Sequence, residues 1–371
     1  MKSIIVFGLL LNWGLLMAKD IDSSGNEQSG KEQSAKEQLW NQVYDARQAF
    51  VERHIGALPD DILKIVHLGG TWPGGGLFKF KATQLEGDYW VYMTFGLTNP
   101  DMPTTVTPTD VEIDPEPGAE STSLRLVKKE QVPSYPERIG YGYELMIITK
   151  GEQEWPLWLL QWAVEAELIG DVDFLGRVEQ YQGLTVEDIK VGPSGFVNVL
   201  FQTAQAPLPS AIDLPAGKSP IIVATVITDD EMRWSQSNGR DKLFARLMQN
   251  QDGQVSDIQR PSIFHPKGVD LANVNSREAA VDLYEQGLLR KAHLFPTDFG
   301  GEDVEANTIY LPKSAFIEKY QFEQKVLQYA QQGLINNYTA QPIYQGDSFV
   351  PAKLQLSATG QENISLEIHV F

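Results

Sequence analysis

The sequence feature that most restricts the fold is a run from Ile221 to Ile227, apolar except for Thr225, that leads directly into Thr228-Asp229-Asp230-Glu231. Its length and β-branched residues predict a central strand. Thr228 and Glu231 have the spacing of a helix capping box, and the two aspartates suit the positive end of a helix dipole. The sequence therefore predicts a strand followed at once by a helix. A metal site at this acidic triplet is the less favoured interpretation.

The segments before this strand alternate between helical and extended patterns. Apolar residues recur at three- and four-residue steps from Leu39 to Gly56, which predicts a helix. Strands are predicted at Leu77 to Lys81, Tyr89 to Phe95 and Tyr141 to Thr149. The stretch from Leu157 to Leu168 is apolar nearly all round, so we expect a helix that is buried on several sides.

The composition of two segments predicts irregular structure. The prolines, threonines and aspartates of Asn99 to Glu120 indicate a long loop that cannot lie at the centre of a sheet. The glycines between Gly69 and Gly76 suggest a nucleotide-binding loop at first sight. No Gly-Lys-Ser/Thr follows them, however, and their spacing does not fit a dinucleotide-binding fingerprint, so a flexible turn is favoured.

The residue patterns in the second half of the chain predict a small α+β domain. Gln249 to Arg277 is polar and irregular, and we place a domain boundary there. Helices are predicted at Glu278 to Gln286 and Phe316 to Gln332, with Leu294 to Leu311 rich in loops between them. Residues 350–356 and 364–370 alternate apolar with polar residues, as in an antiparallel sheet with one packed face. The fold class is therefore α+β, with mixed or antiparallel sheets and packed helices, in two domains after an N-terminal signal segment.

The N-terminus is typical of a secretory signal. Ile4 to Ala18 is apolar but too short to span a bilayer comfortably. Cleavage after Ala18 would export the chain, with the periplasm as the expected location; an uncleaved anchor and a cytoplasmic protein with a misread start are the alternatives. The resulting division is a signal peptide at 1–18, a disordered linker at 19–38, a first domain at 39–262 and a C-terminal domain at 263–371.

Charge and cysteine content limit the possible partners. The 371 residues include 30 basic and 49 acidic side chains, a formal net charge of −19, and no cysteine. Disulfides, thiolate metal sites, thiol catalysis and a lipid-anchored form are therefore excluded. The acidity argues against a nucleic-acid ligand and favours another protein, best a basic one. No stable membrane insertion is expected once the signal is removed.

No motif for catalysis or for a cofactor is recognisable. The five histidines have no metal-ligand spacing, and a Gly-x-Ser-x-Gly nucleophile elbow is absent. The tightest carboxylate groups left are Asp171 with Asp173 and Glu302 with Asp303, and solvated loops explain both. The sequence therefore predicts neither an enzyme, nor a cofactor, nor a metal. Carboxylates brought together from distant segments would not be visible at this level.

Four segments in order resemble the suppressor of fused family, over about residues 45–262. Asp88 to Thr98 is similar to its tryptophan strand and aromatic-Gly-Leu-Ser/Thr turn. Gly140 to Leu145 is similar to its Gly-aromatic-Gly-aromatic-Glu-Leu strand, and Trp155 to Gln161 to the Trp-Pro helix that follows. Ile227 to Met248, with Trp234 and Asn238-Gly239-Arg240, resembles the end of that domain.

The resemblance implies binding rather than catalysis. Animal members of the family clamp an extended peptide of transcription factors, whereas bacterial members are commonly viewed as immunity proteins that neutralise toxins. The chain lacks the animal pattern before Gly140, and residues 277–371 do not resemble the animal C-terminal half. The leading hypothesis is a non-enzymatic protein-binding module, a bacterial-type member that neutralises a toxin, with a basic toxin as the candidate partner. An exported hydrolase with dispersed carboxylates and an envelope scaffold that binds peptides by strand addition are the alternatives.

The resembling strands also supply candidate contacts for a partner protein. Aromatic residues often anchor protein interfaces. Because side chains alternate along a strand, about half of these candidates would face the core and serve only in packing. The candidate protein-binding residues are Trp90, Tyr92, Tyr141, Tyr143 and Glu144.

Overall fold

The computed structural model describes residues 26–371, apart from 61–62, 64–65, 68–69, 72–74, 103, 114–119, 129–137, 193–194, 251–252 and 266–267. The predicted signal peptide lies outside these residues. The helices are α1 Asn26–His54, α2 Trp155–Leu168, α3 Phe174–Tyr181, α4 Asp229–Asn238, α5 Arg240–Asn250, α6 Arg277–Glu285 and α7 Lys313–Gln331. None of the described helices is long and apolar enough to cross a membrane.

The strands confirm the predicted α+β class. They are β1 Val66–His67, β2 Gly70–Thr71, β3 Gly76–Lys81, β4 Tyr89–Phe95, β5 Thr104–Ile113, β6 Glu120–Lys128, β7 Glu144–Lys150, β8 Leu184–Lys190, β9 Phe196–Thr203, β10 Ala211–Leu214, β11 Gly217–Ile227, β12 Val255–Ser256, β13 Arg290–His293, β14 Thr308–Leu311, β15 Ile335–Ile343, β16 Lys353–Gly360 and β17 Ile364–His369.

The main sheet has the order β3-β4-β7-β11-β9-β8, with β10 added to β11 and β12 added to β7. The predicted central strand is confirmed, since β11 pairs in parallel with β7 and antiparallel with β9. The predicted helix α4 begins directly after β11. The sheet is therefore mixed. The acidic triplet follows the carboxyl end of the central strand β11.

Helices cover both faces of this sheet, which explains the nearly continuous apolar strands. Tyr92 of β4 packs in the core shared with α2 and α3, whereas its neighbours Val91 and Met93 pack in the core shared with α1. Strand alternation requires this division, because successive side chains point to opposite faces. The predicted helix over residues 157–168 is confirmed, but Trp158 is 49% exposed, so one side of α2 faces solvent.

The C-terminal residues 271–371, called here the C-terminal part, have a core of their own. β15, β16 and β17 form an antiparallel sheet, and α7 packs against one face of it. The alternation predicted at both final strands is confirmed: Leu354, Leu356 and Ile368 are buried, while Gln355 and Glu367 are exposed. The opposite face of the sheet is mostly polar, with Ile343 opposite Lys353 as its apolar exception.

Several sequence predictions were wrong in detail. The predicted loop at 99–120 contains β5, which forms a hairpin with β6; its register is irregular at Pro108, as expected for a residue that lacks an amide hydrogen. Helix α1 begins at Asn26, so residues 26–38 of the predicted disordered linker are helical. The strand β14 lies within the predicted loop-rich stretch. β4 is paired on both sides, so strand addition cannot take place there.

Candidate functional site

The structure places the five predicted contact residues in or against the core of the main sheet. Tyr92, Tyr141 and Tyr143 are buried in the core beside α2, and Glu144 is fully buried. Trp90 is half-buried and packs against the same core. The four buried side chains therefore hold the fold together in this structure, and Trp90 alone offers any surface to a partner.

Glu144 organises the turn that follows β4. Its carboxylate accepts hydrogen bonds from the amides of Gly96 and Thr98, at 3.0 and 3.1 Å. The hydroxyls of Thr94 and Thr98 also donate to it, at 2.6 and 2.7 Å. Arg47 of α1 completes the shell with an ion pair at 3.1 Å. A buried carboxylate needs such a set of donors, so Glu144 is a structural anchor.

The tyrosines have structural partners as well. The Tyr143 hydroxyl donates to a carboxylate oxygen of Glu167 at 2.7 Å, and the amide of Phe174 donates to the same oxygen at 2.9 Å. Burial raises the pKa of Glu167, although these two hydrogen bonds act in the opposite direction. The pKa of Tyr143 is also raised, first by burial and then by the charge of Glu167. Through its carboxylate, Glu167 of α2 thus connects Tyr143, which directly precedes β7, with the first residue of α3.

A different group of residues lies at the surface, where the main sheet meets the C-terminal part. Arg290 of β13 binds Asp188 of β8 through two parallel hydrogen bonds of 2.9 Å. Its Nε also donates to Asp229 at 2.7 Å. Asp229 further accepts hydrogen bonds from Lys313 at 2.9 Å and from Asn198 at 2.6 Å. These five residues are called here the junction cluster.

Local backbone structure positions both aspartates. Asp188 sits at a register irregularity between β8 and β9 and has a left-handed φ of 50°. Its amide donates to the Asn198 side chain at 2.9 Å, which helps to hold this uncommon conformation. Asp229 is the first residue of α4, where a negative charge suits the helix dipole. The local backbone therefore determines the position of each carboxylate independently of its ion pair with Arg290.

The other two members of the acidic triplet bind groups that precede the C-terminal part in the chain. Glu231 accepts a hydrogen bond from the Thr228 amide at 2.9 Å, which confirms the predicted capping interaction. The same carboxylate forms an ion pair with Arg260 and accepts the amide of Ile263. Asp230 accepts hydrogen bonds from the hydroxyls of Thr228 and Ser262. The triplet thus joins the helix start, the polar segment after α5 and the C-terminal part.

Three hollows surround the junction cluster, and together with it they form what is called here the junction cleft. The largest of the three, about 400 Å³, lies between the end of β11 and residues 257–265 and 268–271, and it is mainly apolar. A second, of about 270 Å³, lies beside Arg233 and Tyr284. The third, of about 180 Å³, has apolar walls contributed by Phe196, Phe316, Ile317 and Tyr320.

The electrostatics of the cleft suit binding better than proton transfer. Burial alone would raise the pKa of Asp229, but hydrogen bonds from Arg290 and Lys313 lower it. The pKa of Arg290 is raised by its two aspartates despite its burial. Glu167 and Glu323, the described carboxyl groups with a raised pKa, do not line the cleft hollows. The described part of the chain holds no cluster of histidine, aspartate or glutamate suited to a metal ion.

Sequence reasoning identified the acidic triplet but missed the rest of the cleft. Asp188 and Arg290 are 102 residues apart, and neither lies in a recognisable motif. Phe196 and Phe316 resemble ordinary apolar residues of a strand and a helix. The one available signal was that Asp229 is not required by the capping box, which needs only Thr228 and Glu231.

Comparison with known proteins gives one family-model match and two solved structures with limited similarity. Residues 78–261 match the family model described as Suppressor of fused protein (SUFU). The crystal structure of Drosophila Suppressor of Fused is similar at 15% identity and a TM-score of 0.37, over 78% of this chain and 63% of that one. The Sufu-Fu complex is similar at 16% identity and a TM-score of 0.33, over 61% of this chain and 93% of that one. No curated protein matches the sequence.

Proposed function

Because this chain belongs to the suppressor of fused family through its residues 78–261, we propose that it is a protein-binding module rather than an enzyme. The family resemblance predicted from the sequence is confirmed for these residues. The observation that carries the proposal is the junction cleft, in which aromatic walls from the sheet and from α7 lie beside charged groups that are already paired. Binding sites typically combine apolar walls with a few fixed polar groups.

The hollow between Phe196 and Tyr320 is the best candidate for a partner's anchor residue. The two rings meet edge to face at 6.1 Å, and Tyr320 is 41% exposed. The guanidinium of Arg290 lies 5.8 Å from the ring of Phe316 on the same hollow. A volume of about 180 Å³ suits one large apolar side chain. Anchors of this kind supply most of the binding energy of many interfaces.

The alternative of a hydrolase with dispersed carboxylates receives less support. Such an enzyme needs two carboxyl groups at one concave site, one of them with a raised pKa. Asp188 and Asp229 do share the cleft, but both are ion-paired to Arg290, and the pKa of Asp229 is lowered. Asp229 is therefore not poised to donate a proton at neutral pH.

The favoured partner is a basic protein, and the favoured role is that of an immunity protein. The formal charge of −19 repels acidic partners and speeds the approach of basic ones. We place this activity outside the cytoplasm, since residues 1–18 have the pattern of a secretory signal. A toxin that acts on the envelope, or one that is intercepted on entry, would suit that location.

The experiment pairs the protein with the product of its neighbouring gene, since immunity genes lie beside those of their toxins. We expect low-nanomolar affinity by calorimetry and protection of cells when both proteins are produced together. Tyr320→Ser should weaken the complex by tenfold or more, as expected for an anchor. Tyr181→Ser is the matched control, because Tyr181 is 48% exposed and does not line the cleft hollows.

Each result bears on a different part of the proposal. Binding and protection that are lost with Tyr320→Ser but kept with Tyr181→Ser would support the module, its role and its site. Binding without protection would support the module and contradict the immunity role. Turnover of an envelope polymer by the purified protein, abolished by Asp229→Asn, would contradict the module itself.

A further inference from the structure

Among the described strands, β17 lies at the edge of its sheet and has a partner on one side only. β17 is hydrogen-bonded in register to β16, from Ile364 opposite Ala358 to His369 opposite Lys353. No other described strand pairs with β17, and α7 packs against it from one face of the sheet. Its outer backbone amides and carbonyls therefore point away from the sheet, as a template for another strand.

Three other sheet edges carry features that discourage strand addition. β15, at the opposite edge of the same sheet, contains Pro342 and a register irregularity between Ile335 and Asn337. β8 is irregular at Asp188, which is tied to Arg290. β3 is bridged on its outer side by Leu63. β17 contains neither a proline nor a register shift, although natural proteins usually protect an exposed edge by such means.

We propose that β17 binds β17 of a second copy of this chain, so that two three-stranded sheets become one six-stranded sheet. An antiparallel pairing centred on Leu366 places Leu366 opposite its own counterpart and Ile364 opposite Ile368. Those residues lie on the face that packs against α7. The twofold axis keeps corresponding faces together, so the apolar face would continue across the interface.

Charge complementarity favours the same register. On the polar face, Glu367 meets Ser365 of the second copy rather than another glutamate, and His369 meets Asn363. Within its own chain Glu367 is already neutralised, since Lys353 lies at 3.2 Å and Gln355 donates to it at 2.9 Å. A chain with a charge of −19 needs such a neutral edge to approach its own copy.

Single cysteines can test this pairing cleanly, because the natural chain contains no cysteine. In the proposed dimer, the two copies of residue 366 lie directly opposite, with Cβ atoms about 4.5–5.5 Å apart. Leu366→Cys should therefore form a disulfide-linked dimer rapidly under mild oxidation. Ser357→Cys on the middle strand is the control, since its two copies would be at least about 14 Å apart, a separation of three strand spacings.

A second pair of variants tests the register in which the two copies of β17 pair. Ser365→Cys mixed with Glu367→Cys should crosslink at least fivefold faster than either variant alone, because only the mixture places the two thiols opposite each other. Sedimentation equilibrium of the natural protein should show a reversible dimer. A monomer at all concentrations, with Leu366→Cys no faster than Ser357→Cys, would overturn the proposal and leave the edge to a strand of another protein. Equal crosslinking rates for Ser365→Cys alone, Glu367→Cys alone and their mixture would overturn the register.

Discussion

The guanidinium of Arg47 and the carboxylate of Glu144 form a fully buried ion pair with an Nη1–Oε1 distance of 3.1 Å. Arg47 also donates to the side chain of Asn99 at 2.7 Å and lies 4.3 Å above the ring of Phe95. The pair therefore fastens α1 to the turn after β4. Phe95 belongs to the aromatic-Gly-Leu-Thr motif and Glu144 to the Gly-aromatic-Gly-aromatic-Glu motif, so a structural need accounts for part of the sequence resemblance.

Removing either partner of this pair should strongly destabilise the protein. Glu144→Ala leaves a buried guanidinium and the amides of Gly96 and Thr98 without their acceptor. We expect the free energy of unfolding to fall by about 3–5 kcal/mol, as for other broken buried ion pairs. Urea unfolding followed by circular dichroism measures this loss.

An exposed glutamate is the control for that loss. Glu152 pairs with Lys79 at 2.6 Å, and its side chain is half exposed. Glu152→Ala should change the free energy of unfolding by at most about 1 kcal/mol, since surface ion pairs contribute little. Equal effects of the two substitutions would contradict the anchoring role of Glu144.

A second buried pair, in the C-terminal part, should behave in the opposite way. Lys319 and Glu323 form an ion pair one helical turn apart in α7, and Tyr338 donates to Glu323 at 2.9 Å. Burial lowers the pKa of Lys319 and raises the pKa of Glu323. Both shifts show that desolvation outweighs the mutual attraction. In contrast to Glu144, Glu323 has no shell of backbone donors among its described hydrogen bonds.

Replacing all three polar groups with apolar ones should therefore leave the protein as stable as before or make it more stable. We expect Lys319→Met/Glu323→Leu/Tyr338→Phe to change the free energy of unfolding by between zero and about +4 kcal/mol. Lys319→Met alone leaves a buried carboxylate and should be destabilising. Thermal unfolding of the two variants compares them directly, and a triple variant less stable than the single one would contradict this account.

Glu167 should give the stability a recognisable pH dependence. Burial raises its pKa in the folded protein above the value of about 4.3 typical of an unfolded chain. The folded state therefore binds this proton more tightly. Its contribution to stability is fully present below the unfolded pKa and is lost as the pH rises through the folded pKa.

The test is Glu167→Gln, which keeps an acceptor for the Tyr143 hydroxyl but cannot titrate. The stability of this variant relative to the natural protein should improve steadily as the pH rises above about 4.3. Urea unfolding at a series of pH values follows this difference. A difference that does not change with pH would contradict the assignment, and Glu165→Gln on the same helix serves as the control.

Local patterns in the sequence predicted much of the main sheet. The apolar run at Ile221 to Ile227, the capping box and the apolar α2 all depend on neighbours within a few residues, and each was placed correctly. β15 was missed because Ile335–Ile343 is mostly polar and contains a proline. It is a strand because β16 pairs with it along its length. Tertiary pairing decided its structure where local propensity did not.

The candidate site was less predictable than the fold, for a related reason. Tyr92, Tyr143 and Glu144 were selected because they stand out in recognisable motifs, yet they are buried and maintain the fold. Asp188 and Arg290 belong to no motif and meet only through the tertiary structure. A motif in a single sequence can therefore mark a structural requirement as readily as a binding surface.

The junction cluster should determine how firmly the C-terminal part is held. Arg290→Ala removes three charge-assisted hydrogen bonds to Asp188 and Asp229. We expect a loss of about 1.5–3 kcal/mol from this junction, the range for a hydrogen bond to a charged group. Limited proteolysis within the irregular residues 257–265 and 268–276 should become several-fold faster. Lys291→Ala on the same strand is the control, because Lys291 pairs with Asp303 inside the C-terminal part.

Acid should loosen the same junction. The pKa of Asp229 is lowered in the folded protein, so its contribution to stability is present above the unfolded pKa of about 3.9 and is lost as the pH falls through the folded value. Proteolysis by pepsin should therefore accelerate towards low pH in the natural protein. Asp229→Asn should already be cleaved quickly at the upper end of that pH range and change less on acidification. Identical pH profiles for the two proteins would show that Asp229 does not hold the junction.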